Sequence, residues 1–479
     1  MSRNAIVIGA GANGLVTAHA LAKGGYQVLV LEQQTGADTS TDIGWVPPAL
    51  IEELDLAKHG LEITHPDPWI LSVLPDGGTL ELWHDVNKSA QAIRHHSAAD
   101  SEKWPEFCMR MRRLGSVLER LYASAPPNVE TTDVRELIRL AGVGLLVKRL
   151  GRQGMIDLIR ILPMSVAELL DDWFESDALK GILGASAVTH LRQGPRSGGT
   201  AFNLLHHHVG SPPGVFRSPR SNLKQVLAGM PGVEVRRGAE VARITVKAGR
   251  VSGVVLKSGE EIAATVVASS ADPHRTLLGL LETGWLDPDF TLAVENVKFR
   301  GVAATVTLTL DKAAEFRTLV EAPSLNYLER AYDDAKYGRV SAKPWFEARA
   351  EGNRLIIHAQ YAPYEPADGG WTDARRNAFA DAVVTRLYEC VPGLRPRVVG
   401  RAIETPKDLE KRSGLTEGHA YQGEMTLDQI LFMRPVAGWG HYRMPVDGLY
   451  LCGAGTHPGG SVAGASGRNA AREILRREK

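Results

Sequence analysis

Residues 5–8 (Ala5-Ile6-Val7-Ile8) form a wholly apolar run, the pattern of a parallel strand buried on both faces. An alanine- and leucine-rich stretch over 15–23 reads as a helix stopped by Gly24-Gly25. A second apolar run, 28–31, ends at Glu32. Residues 233–241, 243–246, 249–256 and 261–262 predict consecutive strands of a small sheet. From about 71 to 195 the periodicity is helical, and after about 300 it becomes mixed. Residues 303–310 and 354–360 predict strands there, and 372–390 a long amphipathic helix. Residues 449–452 predict a last strand, followed by a glycine-rich loop and a helix running to the C-terminal residues.

The first strand leads directly into Gly9-Ala10-Gly11-Ala12-Asn13-Gly14, which matches G-x-G-x-x-G. Gly9 permits a tight turn, Gly11 lets a pyrophosphate approach the backbone, and Gly14 lets helix and strand pack closely. The helix N-terminus favours the anion. Glu32, about 20 residues on, can accept hydrogen bonds from both ribose hydroxyls, and it would repel a 2′-phosphate. Strand, glycines, helix, second strand and terminal acid in that order predict a dinucleotide site. The second strand-loop-helix at the far end favours FAD, because that helix would aim its N-terminus at a flavin ring.

Length and charge narrow the class. The 479 residues suit two or three domains, and 55 basic residues balance 55 acidic ones. No global field points to nucleic acid. Cys108, Cys390 and Cys452 are scattered, with neither C-x-x-C nor metal-ligand spacing, which argues against dithiol chemistry and suits a reducing compartment. The expectation is a cytoplasmic protein: the strand begins too soon after Met1 for a signal peptide, and no apolar run reaches the roughly 18 residues of a membrane span.

The C-terminal segment Gly453-Ala454-Gly455-Thr456-His457-Pro458-Gly459-Gly460, with Gly467-Arg468-Asn469-Ala470-Ala471, resembles the phytoene desaturase-like FAD oxidoreductases, a branch that includes desaturase-type carotenoid ketolases. Residues 423–429, Arg434-Pro435 and 266–273 add to the resemblance, which spans most of the chain. It implies an α/β protein with a Rossmann-like FAD-binding domain of the two-dinucleotide-fold, amine-oxidase-like type and an inserted mixed α+β substrate domain. The expected boundaries are 1–70, 196–299 and 430–479 for the FAD domain, and 71–195 and 300–429 for the substrate domain. FAD would be held at its ADP end by Gly9, Gly11, Gly14 and Glu32, with Val241 a backbone contact to adenine. Gly455 and the Val462 N–H would meet the flavin. His457 and Arg434 are the candidate catalytic or positioning residues. The expected substrate is apolar and isoprenoid- or carotenoid-like, oxidised by hydride transfer to flavin N5.

Two departures from the family pattern bear on the flavin end. The Gly-Gly pair and apolar segment expected after the acid are shortened to Gln33-Gln34-Thr35-Gly36-Ala37-Asp38-Thr39-Ser40, with Pro47-Pro48 soon after. Ser218-Pro219-Arg220-Ser221-Asn222 stands where a Gly-Gly turn usually precedes the helix near Leu223. The shortened segment keeps open a degenerate flavoprotein fold that binds or scaffolds, and a flavin-dependent polyene isomerase stays open because the sequence does not separate it from a desaturase. Residues 135–162 mix apolar side chains with Arg139, Lys148, Arg149, Arg152 and Arg160. They predict a helix pair with a solvated basic face and a buried apolar one, or a surface lying on a membrane. His206-His207-His208 lacks further ligands nearby and predicts packing or a substrate-cavity role rather than a metal site.

Overall fold

The computed structural model describes residues 3–36, 40–127 and 132–478. Two sheets organise it. The first is a five-stranded, wholly parallel sheet built around β1 (Asn4–Ile8), with β2 (Gln27–Glu32) on one side and Val266–Ser269 on the other. Glu234–Arg237 and Leu449–Leu451 complete its edges. All four Val266–Ser269 residues are buried, as are Ala5 to Ile8, which is why both runs are apolar without alternation. Helix α1 (Ala12–Lys23) crosses from β1 to β2 and stops at Gly24.

The C-terminal helix Ala465–Arg477 lies against α1, with Gly467 at the crossing. A Cβ on Gly467 would stand 2.1 Å from the Asn13 carbonyl oxygen, so glycine is required there. The Thr17 hydroxyl donates to the Gly467 carbonyl at 3.1 Å. Residues 450 apart in sequence are thereby locked together.

Residues 233–241 do not all join the small sheet. Glu234–Arg237 pairs in parallel with β2, placing Arg237 opposite Glu32. The small sheet begins at Val241–Lys247, which pairs antiparallel with Arg250–Leu256 and through it with Glu261–Ala263. The strand periodicity gave the elements, but an alternating pattern says nothing about which neighbour a strand pairs with.

The second large sheet is mixed and seven-stranded. Its order is Val398–Glu404, Ala303–Leu310, Arg354–Gln360, Phe346–Glu351, Thr318–Glu321, Ile70–Val73, Thr79–Leu82. Helices between Val86 and His208 pack beside it around Trp69, Trp104, Phe107 and Trp345, all buried. The predicted helix over 372–390 is Asp373–Cys390, capped by the Thr372 hydroxyl on the Arg375 N–H.

Residues 135–162 form Val134–Lys148 and Gly151–Ile161. Their apolar side chains are not all turned inward: Val134, Leu137, Ile138, Leu145, Ile156 and Ile159 are exposed. The expected buried apolar face is thus only partly present. Among the described residues no helix is long and apolar enough to cross a membrane.

Candidate dinucleotide and catalytic site

The glycine turn meets the geometry its spacing implies. Gly9 adopts φ +92°, and its N–H donates to the Leu31 carbonyl. A Cβ on Gly14 would stand 2.1 Å from the Gly9 carbonyl oxygen, whereas one on Gly11 would meet nothing within 4 Å. Gly14 therefore serves the packing of α1 on β1, while Gly11 leaves space. Gly11 is also the N-cap of α1, whose first turn carries no acidic side chain. Its N–H groups lack intrahelical partners by geometry, a fitting seat for an anion.

This turn opens into a cavity of about 690 Å³, lined also by Glu32, Gln34, Val241, Ser270 and Gln422. Glu32 accepts from the Ala10 N–H at 2.8 Å on one carboxylate oxygen and from the Gln34 N–H at 2.9 Å on the other. Each oxygen keeps a second lone pair for a ribose hydroxyl. Lys224, Arg237 and Arg275 place cationic side chains along the same cavity. The motif reading missed these three, because they lie on segments remote from the fingerprint.

The C-terminal loop is packed more tightly. A Cβ on Gly455 would meet Pro273, and the Gly455 N–H donates to Gln422 Oε1 at 2.9 Å. Gln422 also donates to the Ser270 carbonyl at 2.8 Å, tying this loop to the end of Val266–Ser269. Val462 forms a parallel bridge with Trp45: the Trp45 N–H donates to Ser461, and the Ala463 N–H donates to the Trp45 carbonyl at 2.8 Å. The Tyr421 ring covers Gly460, where a Cβ would fall 2.2 Å from it.

The shortened segment after Glu32 is bridged in part by the Ser218 region. Asp42–Ile43 and Ile63–Thr64 both pair with Arg220–Ser221, making a small three-stranded sheet. The expectation about residues 37–39 lies outside the described residues.

Arg434, expected to position substrate or flavin, has its donors engaged by the protein itself. Its buried guanidinium donates to six backbone carbonyls, those of Tyr421, Gln422, Gly423, Glu424, Gln429 and Ala454. Every donor direction is committed to fixing residues 421–434 against the glycine loop. Its sequence signal, one arginine before a proline, could not separate a staple from a ligand contact.

His457 is also interior. Its Nε2 lies 3.2 Å from the Leu121 carbonyl, and its ring meets Tyr122 edge-on with centroids 5.6 Å apart. Burial pushes its imidazole down to about 4, opposed by the bond to Leu121. It lines neither the dinucleotide cavity nor the smaller one described next. Neutral and enclosed, it supports the loop and is not placed to act as a general base.

A second cavity, of about 100 Å³, adjoins the loop at Ser461 and Tyr421. Tyr421 Oη lies 2.5 Å from Ser461 Oγ and 3.2 Å from His207 Nε2. His207 is the middle member of the histidine run, and the three rings diverge as expected. His206 reaches Tyr122 Oη and the Gly460 carbonyl, His207 the Ser186 carbonyl, and His208 the Val215 carbonyl. Among the described residues no group of side chains has the makings of a metal site.

A parallel sheet whose first turn has the glycine geometry and cavity of a dinucleotide seat, closed by a C-terminal strand and helix and joined to a mixed-sheet domain, is the architecture of a two-domain flavoprotein. Residues 93–475 match the flavin containing amine oxidoreductase family, and residues 4–127 match the FAD dependent oxidoreductase family. The chain belongs to the flavin-containing amine oxidoreductases, and its cofactor is FAD.

A relative from Rattus norvegicus, described as pyridine nucleotide-disulfide oxidoreductase domain-containing protein 2, is 32% identical over 99% of this chain and 93% of its own. A phytoene desaturase (lycopene-forming) from a Paracoccus species is 24% identical over 97% of this chain and 95% of its own. The crystal structure of an oxidoreductase from Methanosarcina mazei shares the fold, with TM-score 0.57 at 14% identity, covering 99% of this chain and 100% of that one.

The residues fit FAD unevenly. The ADP end has its close-approach glycine, helix N-terminus, carboxylate and cavity. At the ring end, the Trp45 bridge engages the Ser461 carbonyl and the Ala463 N–H but not the Val462 N–H, and the Tyr421 ring covers Gly460.

Proposed function

We propose that the protein is an FAD-dependent oxidoreductase that accepts hydride from a small organic substrate, with the cradle of Gly9, Gly11, Gly14 and Glu32 holding the ADP portion. When bound, FAD supplies the hydride acceptor at flavin N5. The chain's part is to fix the cofactor, orient the substrate and exclude water. Val241 would back the adenine, and Gly455 and Val462 belong to the loop at the ring end. Arg434 and His457 would act by holding that loop in place. The observation that carries this reading is the large cavity opening directly from the glycine turn beside Glu32.

Support for an apolar, isoprenoid-like substrate comes from the likeness to a phytoene desaturase. The arginines of the smaller cavity count against it. Isomerisation of a polyene would leave no reduced acceptor, and so is separable by assay from oxidation.

A second reading has its own observation. The Tyr421 ring packs onto Gly460 of the loop at the ring end, as in a degenerate fold that binds a nucleotide without redox turnover; the Trp45 bridge itself uses the Ser461 carbonyl and the Ala463 N–H and leaves the Val462 N–H out. One titration tests both. Saturable FAD binding with absorption bands near ~375 and ~450 nm, followed by bleaching with substrate, supports the oxidoreductase. Binding of ADP with no saturable flavin binding would sink it and favour the second reading.

A further inference from the structure

The cavity beside Ser461 holds more positive charge than the chain neutralises. Arg217, Arg220 and Arg349 line it, against the single carboxylate of Glu347. Glu347 and Arg349 stand two apart on Phe346–Glu351, so both side chains leave the same face of the sheet. Arg220 comes from the short strand Arg220–Ser221, where its Nη2 donates to the Thr318 hydroxyl at 2.9 Å.

Glu347 is shared thinly among these cations. Arg217 Nη2 lies 2.8 Å from one of its oxygens but off the hydrogen-bonding direction. Arg349 Nε stands 4.0 Å from the other oxygen. Burial pushes the Glu347 carboxyl up, yet Arg217, Arg349 and Arg220 together outweigh burial and hold it below the usual range, so it is ionised. The next charges acting on Arg220, those of Glu351 and Arg317, have opposite signs and leave the excess unchanged. Three of the lining histidines, His190, His207 and His358, add none at neutral pH. Burial holds His207 at about 3 and His358 at about 4, and pushes His190 well below its ordinary value.

A second observation points the same way. Arg217 Nε, Arg349 Nε and Trp69 Nε1 are buried donors without a protein acceptor, and all three belong to side chains lining this cavity. Unpaired buried donors are rare in folded proteins and costly. An oxyanion supplies both the missing charge and the missing acceptors, and guanidinium forks match carboxylate and phosphate geometry.

We propose that this cavity binds a compact oxyanion, a carboxylate or phosphate group, through Arg217 and Arg349 with Arg220 beside them. The hydrogen-bonded Tyr421–Ser461 pair then joins the anion site to the C-terminal glycine loop. The site stands on the cavity; that the oxyanion is the polar head of the substrate rests on the oxidoreductase reading.

The test is isothermal titration of the full chain with inorganic phosphate and, separately, acetate, at constant ionic strength. Saturable binding is expected, weakened at least ~10-fold in Arg349→Gln and in Arg217→Gln, the loss of one charge-assisted hydrogen bond. Binding of phosphate alone assigns a phosphoryl group, and binding of acetate alone assigns a carboxylate. Arg220→Gln, on the short strand Arg220–Ser221, supplies a third variant should either of the others fail to melt cooperatively. Absence of saturable binding by either ion, or affinity unchanged in the folded variants, overturns the proposal. FAD titration is scored separately. Anion binding without FAD binding would refute only the redox reading, and FAD binding without anion binding only the oxyanion site.

Discussion

Arg434 reaches the carbonyl oxygen of Ala454 with two nitrogens, Nε at 3.0 Å and Nη2 at 2.8 Å, while its other donors hold carbonyls of residues 421–429. Two loops brought together at the end of the parallel sheet thus share one buried cation. No carboxylate pairs with it among the described residues; carbonyl dipoles carry its charge.

Replacing Arg434 should therefore act on stability first. Arg434→Lys keeps the charge but has three donors in place of five and no planar fork. It should lower unfolding stability by about 3 kcal/mol, the cost of leaving several buried carbonyls unpaired. The urea midpoint checks this, and an unchanged midpoint would contradict the staple role.

Gly11 and Gly14 should separate by phenotype although they belong to one motif. Gly14→Ala places a methyl against the Gly9 carbonyl and should destabilise the fold by about 2 kcal/mol or more through overpacking. Gly11→Ala has open space and an extended backbone, so its melting temperature should hold while FAD affinity falls. Parallel thermal melts and flavin titrations read both. Equal losses of stability would refute the division.

Acid should weaken the protein through its buried histidines. Burial lowers His206, His208, His358, His419 and His457 to about 4 and His207 to about 3, from an ordinary value of 6.5. The unfolded chain then binds more protons than the folded one between these values, so stability rises with pH there. It should be fully present above pH 6.5 and fall as pH drops toward 4. Melting temperatures from pH 7.5 to 5 give the slope, and His206→Gln should flatten it. A slope untouched by that substitution would remove His206 from the account.

For the helix pair Val134–Lys148 and Gly151–Ile161, which exposes Ile138 at 66% and Ile159 at 69% and also carries exposed Arg152 and Arg160, peripheral membrane contact is a proposal to test. Apolar and basic side chains together suit an anionic bilayer surface. The protein should co-sediment with vesicles of anionic phospholipid, and Ile138→Asp with Ile159→Asp should release it. Equal sedimentation of the double variant would discount this face.

Much of the ADP end was legible because its requirements are local. A buried strand must be apolar, a tight turn needs glycine at Gly9, and a carboxylate at the end of β2 follows at fixed spacing. The ring end was not legible. Whether Arg434 would meet a ligand or six carbonyls depended on the path of residues 421–429. His457 could be read as polar support for the glycine loop or as a general base, and only the packing of the helix ending at Tyr122 around it separates the two.

The sequence by itself determined the dinucleotide fold, since hydrophobic period, glycine spacing and the acid after β2 act over a few residues each. Tertiary structure decided the chemistry beside it. Arg217, Arg220 and Arg349 come from two separate stretches of the chain, and their shared excess of charge exists only where sheet and loop converge. Local sequence sets backbone conformation, but charge and burial depend on what long-range packing brings within a few ångströms.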